Sequence, residues 1–168
     1  MSEAARAHRV KLGEVEGVPS ARGGVFAHTR AAVAQKVGLG HLGAQLMRVP
    51  PGNKAWPFHA HLANDEMYVI LEGNGEMRLG PERFAVEAGD LIGCPAGGAE
   101  TAHQLLNTGA VDLVYLCLSS MHQPEVMVYP DSAKTVTLVG RAALGPGETG
   151  FRHASRLGET VDYWEGEA

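Results

Sequence analysis

Short β-forming runs, broken at regular intervals by glycine- and proline-containing turns, leave this chain little choice but an all-β fold. Glu66–Glu72, Arg83–Glu87, Leu91–Cys94 and Val111–Leu118 read as strands, and Val25–Thr29, Gly40–Val49 and Thr135–Val139 add further candidates. Between them lie Gly73-Asn74-Gly75, Ala88-Gly89-Asp90, Pro95-Ala96-Gly97-Gly98 and Asn107-Thr108-Gly109-Ala110. The first of these is a strong hairpin signal. No helical period separates the runs, so a sandwich or barrel is expected. The 22 glycines in 168 residues are about twice the usual share of roughly 7%, as a fold made of tight turns requires.

Within this pattern stands His59-Ala60-His61, followed by Glu66 and, much later, His103. Residues i and i+2 of a strand project to the same face, so His59 and His61 aim at one point. Leu62-Ala63-Asn64-Asp65 is long enough for a hairpin loop, which would bring Glu66 from the next strand to face both imidazoles. Asp65 competes for the carboxylate role, but only one of two adjacent strand residues can face inward. His103, Leu105 and Asn107 share one face after the Pro95–Gly98 turn. The isolated histidines His8, His28, His41, His122 and His153 carry no such spacing.

Two stretches carry a family resemblance. Gly52 to Gly73 has the form G-(x)6-H-x-H-(x)4-E-(x)6-G, and Gly89 to Asn107 the form G-(x)5-P-x-G-(x)5-H-(x)3-N. Together they resemble the two signature motifs of the cupin superfamily. The family has five residues before the first histidine and two before the last, where this chain has six and five. Those departures lengthen loops and keep the order of ligands. The motif spacing favours Glu66 over Asp65.

The resemblance implies a cupin-type double-stranded β-helix, or jelly-roll barrel, with N- and C-terminal extensions. The single domain would have its core at about residues 40–120, an N-terminal arm at 1–39 and a C-terminal extension at 121–168. It further implies a divalent metal held by His59, His61, Glu66 and His103. The segment Val128–Lys134 and the ending Phe151-Arg152-His153 resemble the C-terminal part of small bacterial cupins, some of which carry a sugar-phosphate isomerase label. A homodimer is the expected assembly.

Three imidazoles and a carboxylate suit one divalent transition metal, whether zinc, manganese, iron, nickel, cobalt or copper, and suit calcium poorly. Four protein ligands on an octahedral ion leave two positions for a bidentate oxygen ligand. Strand alternation nominates Tyr68 and Ile70, beside Glu66, and Leu105 and Asn107, beside His103, as pocket lining. Trp56 and Phe58 are rim candidates, with packing at the barrel mouth as the plain alternative. Met47 and Val49 alternate with Leu46 and Arg48, and the inward pair depends on strand register.

The balance of 14 basic to 19 acidic residues, net −5, shows no basic stripe, so nucleic acid is not an expected partner. No run of 18 or more apolar residues and no signal peptide are visible, so a cytoplasmic protein without a membrane partner is expected. Cys94 and Cys117 are too few for a disulfide framework and lie in apolar runs, although Cys94 could reach the barrel mouth. Tyr163-Trp164 is the apolar anchor of the tail, to be buried on its own barrel or on a second subunit.

Three uses fit such a site. One is a metal-dependent enzyme on a small oxygenated substrate, of sugar or sugar-phosphate isomerase type. Another is a metal-dependent dioxygenase, and the third a non-catalytic module binding a small-molecule ligand. A phosphate-bearing substrate would call for a cation near the mouth, and Arg48, Lys54 and Arg78 are the nearby ones in sequence.

Overall fold

Alternating inward and outward residues build two walls that close over one apolar interior. The computed structural model describes residues 8–140 and 150–167. Its strands are β1 (Val18–Arg22), β2 (Phe26–Ala32), β3 (Leu42–Val49), β4 (Ala60–His61), β5 (Glu66–Glu72), β6 (Asn74–Leu79) and β7 (Glu82–Glu87). They continue with β8 (Leu91–Cys94), β9 (His103–Leu106), β10 (Leu113–Ser120), β11 (Glu125–Tyr129), β12 (Lys134–Gly140) and β13 (Gly150–Arg156). One helical turn, α1 (Val33–Lys36), follows β2. The sheets have the orders β1-β2-β3-β10-β5-β8, β13-β12-β11-β4 and β7-β6-β9. With almost no helix, this is the expected jelly-roll barrel.

The main cluster takes Met47 and Val49 from β3, Tyr68 and Ile70 from β5, Met77 from β6, Leu105 from β9, and Leu113 and Tyr115 from β10. Burying each such side chain contributes about 1.5–3 kcal/mol. The β3–β10 register, with Met47 opposite Tyr115 and Val49 opposite Leu113, places Met47 and Val49 inside. Leu46 packs in a second cluster on the other face, with Ala31, Val33 and Val114, covered by Val10, Leu12 and Val15 of the N-terminal arm. The arms are therefore part of the walls: β1 and β2 widen the six-stranded sheet, and β11–β13 make up most of the four-stranded one.

Two expected hairpins are corners instead. β5 pairs with β10 and β8, whereas β6 pairs with β7 and β9, so Gly73-Asn74-Gly75 carries the chain from one sheet to another. Gly73 sits at φ +81°, and a Cβ there would lie 2.5 Å from the Asp112 carbonyl oxygen. That backbone and that space both demand glycine. Likewise β4 pairs with β11 and not with β5. Residues 62–65 thus cross between sheets, and Glu66 meets the histidines across the interior.

Buried polar side chains lock these crossings. Asn107 donates to the carbonyls of Val49 (2.7 Å) and Val111 (2.8 Å) and accepts from the Gly109 amide (2.9 Å). Asn64 donates to the His122 carbonyl and to Glu125, and accepts from Ser120 Oγ and the His122 amide. Arg78 on β6 makes a two-pronged pair with Asp131, at 2.7 and 2.9 Å, and lies 3.4 Å over the Phe58 ring.

Candidate metal centre

Three different backbone pairings deliver the four polar side chains to one point. His59 and His103 exchange main-chain hydrogen bonds of 3.2 and 2.7 Å, which fixes them opposite each other. His61 is held by the pairing of β4 with β11, opposite Met127. Glu66 opens β5 on the far wall. One ligand atom from each of His59, His61, Glu66 and His103 lies within 4.8 Å of all the others.

The rings are turned as well as gathered. A carbonyl can only accept, so His59 Nδ1 donates to the Pro57 oxygen (2.8 Å) and His103 Nδ1 to that of Thr101 (3.2 Å). Each Nε2 is left to face the centre, and His103 Nε2 lies 3.0 Å from Glu66 Oε2. His61 stands between two carboxylates, with Nε2 3.6 Å from Glu66 Oε1 and Nδ1 3.5 Å from Glu125 Oε2. Both its nitrogens are buried without a hydrogen-bond partner. His61 Nε2, buried, aimed into the cluster and without a hydrogen-bond partner, is disposed as a metal ligand would be. The donor set thus fits a divalent transition ion.

Residues 45–119 match the family model described as Cupin domain. This segment is a cupin domain. An uncharacterized protein of Methanocaldococcus jannaschii is 44% identical over 71 residues, 42% of this chain and 54% of the relative, so the chain spans about half of that protein. Among solved structures, an Acidithiobacillus ferrooxidans protein whose sugar phosphate isomerase designation is provisional superposes with a TM-score of 0.79 at 20% identity. That alignment covers 94% of this chain and 97% of the other. A sugar phosphate isomerase from a cupin superfamily, of Silicibacter pomeroyi, gives 0.74 at 22% identity over 92% and 97%. At these identities the likeness is one of fold, and it extends through both arms that flank the matched segment.

Inside the cupin barrel, burial and charge set the protonation of the cluster. Burial lowers His59 to about 4, helped by the neighbouring His103. Burial also opposes ionisation of Glu66, but the His103 hydrogen bond and the imidazole charges outweigh it and bring Glu66 down to about 2. For His61 burial again acts downward, yet the Glu125 and Glu66 carboxylates raise it above its ordinary value. Burial, then the charge of Glu66, pushes the Cys94 thiol up to about 12, which makes it a poor nucleophile.

The other pocket candidates divide. Tyr68 reaches the cluster, its hydroxyl donating to Glu66 Oε2 at 2.9 Å. Ile70 and Leu105 lie in the apolar interior behind it. Asn107 does not line a pocket, because its amide is committed to the loop it ties. Phe58 is buried with Ala60 and Ala102 in a separate cluster, whereas the Trp56 ring lies against His28 at 4.5 Å and stays partly exposed. Asp65 turns away, accepting the Ala96 amide at 2.8 Å. Of the cations near the motif in sequence, Lys54 lies over Phe26 and Arg78 is paired with Asp131.

Sequence spacing does not reveal Glu125 or Tyr129. Glu125 is buried beside His61, and the Tyr129 ring stacks on His59 at 5.8 Å and 17°. Both come from β11, whose pairing with β4 only the fold shows.

Proposed function

We propose that His59, His61, Glu66 and His103 hold one divalent transition metal and that the protein is a metal-dependent enzyme on a small oxygenated substrate, in the class of sugar or sugar-phosphate isomerases. The observation that carries it is the convergence of four ligand atoms within 4.8 Å, with two imidazoles anchored through Nδ1. The fold likeness to proteins designated sugar phosphate isomerases supports the substrate class. When bound, such an ion acts as a Lewis acid that polarises a carbonyl or hydroxyl oxygen. The chain's own part is to orient: Tyr68 fixes one Glu66 oxygen, Glu125 sits behind His61, and Ile70, Leu105 and the Tyr129 ring keep the surroundings apolar. Glu66 serves as ligand and not as base.

The reading includes a homodimer. Tyr163 and Trp164 are 83% and 71% exposed instead of folded onto their own barrel, which favours burial against a second copy. Sedimentation equilibrium would return the monomer mass if that part is wrong. For the metal, His61→Ala and Glu66→Ala are each expected to cut the metal content found by elemental analysis severalfold or more. Full occupancy in both would remove the assignment. Interconversion of aldoses and ketoses, free and phosphorylated, by the metal-loaded protein tests the activity, and oxygen uptake on iron loading would point to a dioxygenase instead.

A further inference from the structure

The four-stranded sheet carries more than His61 on the face it turns to the cluster. Residues directly opposite on neighbouring strands project to the same side. The register aligns His61, Met127, Val136 and Ala154 in one row across β4, β11, β12 and β13. Two residues to one side, the parallel row is Tyr129, Lys134 and Arg156, and to the other side it is Glu125, Leu138 and Arg152. Three cations, Lys134, Arg152 and Arg156, therefore flank Val136 and Ala154 on the very face that supplies His61.

Contacts confirm the placement. Tyr129 stacks on His59 at 5.8 Å, and Lys134 Nζ lies 5.2 Å from the Tyr129 ring centroid. Val136 is buried and Ala154 exposed, so the face emerges to solvent at β13. Among the described residues neither Lys134 nor Arg152 has a carboxylate partner, and Arg156 has only a 3.8 Å contact with exposed Glu159. In a chain of net charge −5, such a grouping of unneutralised cations on one face calls for an anion.

We infer that Lys134, Arg152 and Arg156 seat the phosphate of a phosphorylated small-molecule substrate whose other end reaches the histidine cluster. Strands lie about 4.8 Å apart and two residues along a strand add about 6.6 Å, so Lys134 on β12 is roughly 12 Å from His61, and Arg152 and Arg156 on β13 roughly 16 Å, before the long side chains reach back. That span matches a sugar phosphate held at its carbonyl end by the cluster and at its ester end by the cations. Arginine presents paired donors to phosphate oxygens, and lysine adds a point charge. The seat stands on the sheet register alone, whereas the bridging of both ends rests on the metal-enzyme reading above.

Calorimetric titration of the full-length protein separates the two. Inorganic phosphate is titrated into metal-free protein, and ribose 5-phosphate and glucose 6-phosphate, each beside its unphosphorylated sugar, into protein loaded with zinc. Lys134→Gln and Arg152→Gln are each expected to weaken phosphate and sugar-phosphate binding about tenfold, and the pair more, with unchanged metal content and unchanged affinity for the free sugars. Arg83→Gln, which removes a cation paired with Glu76 elsewhere, should have no such effect. Lys134→Arg and Arg152→Lys should retain binding, which guards against a folding defect. Failure of wild type to bind any of the phosphates at millimolar concentration, or equal binding by the double variant, overturns the inference. A wild type that takes up no zinc on loading, yet binds inorganic phosphate through Lys134 and Arg152, sinks the metal enzyme and leaves the seat standing.

Discussion

His61 sits between Glu66, on the side facing the cluster, and Glu125, behind it. A carboxylate behind a ligating imidazole fixes its tautomer and raises its basicity, typically worth 10–100-fold in metal affinity. Glu125→Gln is therefore expected to weaken metal binding by about that factor without emptying the site, as a chelator competition would show; unchanged affinity would deny Glu125 the role. Acid should act through the same residue. Binding needs neutral imidazoles, and His61 is raised while His59 is lowered to about 4. Falling pH thus protonates His61 first, and affinity declines through its raised value. His59 joins only near pH 4, and Glu66, at about 2, stays ionised throughout. The zinc dissociation constant should rise as pH falls from above the ordinary imidazole value of about 6.5 toward about 5, and a flat profile would contradict a histidine-rich site. His59, His61, Glu66 and His103 were legible from spacing and motif because a strand's period is fixed by its backbone. Glu125 was not, because its partner is set by long-range pairing.

Among elements, the loop after β9 shows how a residue in a motif can be structural. Asn107 follows His103 at the spacing of a pocket residue, yet its amide ties Val49, Val111 and Gly109 together in the interior. Asn107→Ala removes three hydrogen bonds and strands buried backbone groups, at a cost of about 2–4 kcal/mol. Urea unfolding should show that loss, while metal content per folded molecule stays at the wild-type level. A large drop in metal with full stability would restore Asn107 to the site. Strand positions were mostly readable from β-forming runs and glycines. The neighbours were not: Gly73-Asn74-Gly75 carries the chemistry of a tight turn, and that chemistry serves a corner between sheets as well as a hairpin.

At the scale of the whole molecule, folding forces His59 into the interior. In metal-free protein the unfolded chain takes up a proton on His59 below its ordinary value of 6.5, whereas the folded chain resists until about 4. The unfolded state binds more protons in that window, so this residue's contribution to stability falls as pH falls. His61, raised in the fold, acts in the opposite sense and loses its contribution as pH rises through its folded value. His59→Asn should therefore lose less melting temperature than wild type between about pH 6.5 and pH 4, by an amount reflecting on the order of a few kcal/mol. Parallel melting curves would show that His59 is not responsible.

The two-residue strand β4 is paired with β11, opposite Met127 and Val128. The family match ends at residue 119, and β11 begins at Glu125. A graft of residues 45–119 into another barrel would accordingly carry all four clustered side chains across and leave behind both the strand that aligns His61 and the carboxylate that backs it. For this protein, the unit that can be inherited or exchanged with its chemistry intact is longer than the segment by which its kinship is recognised.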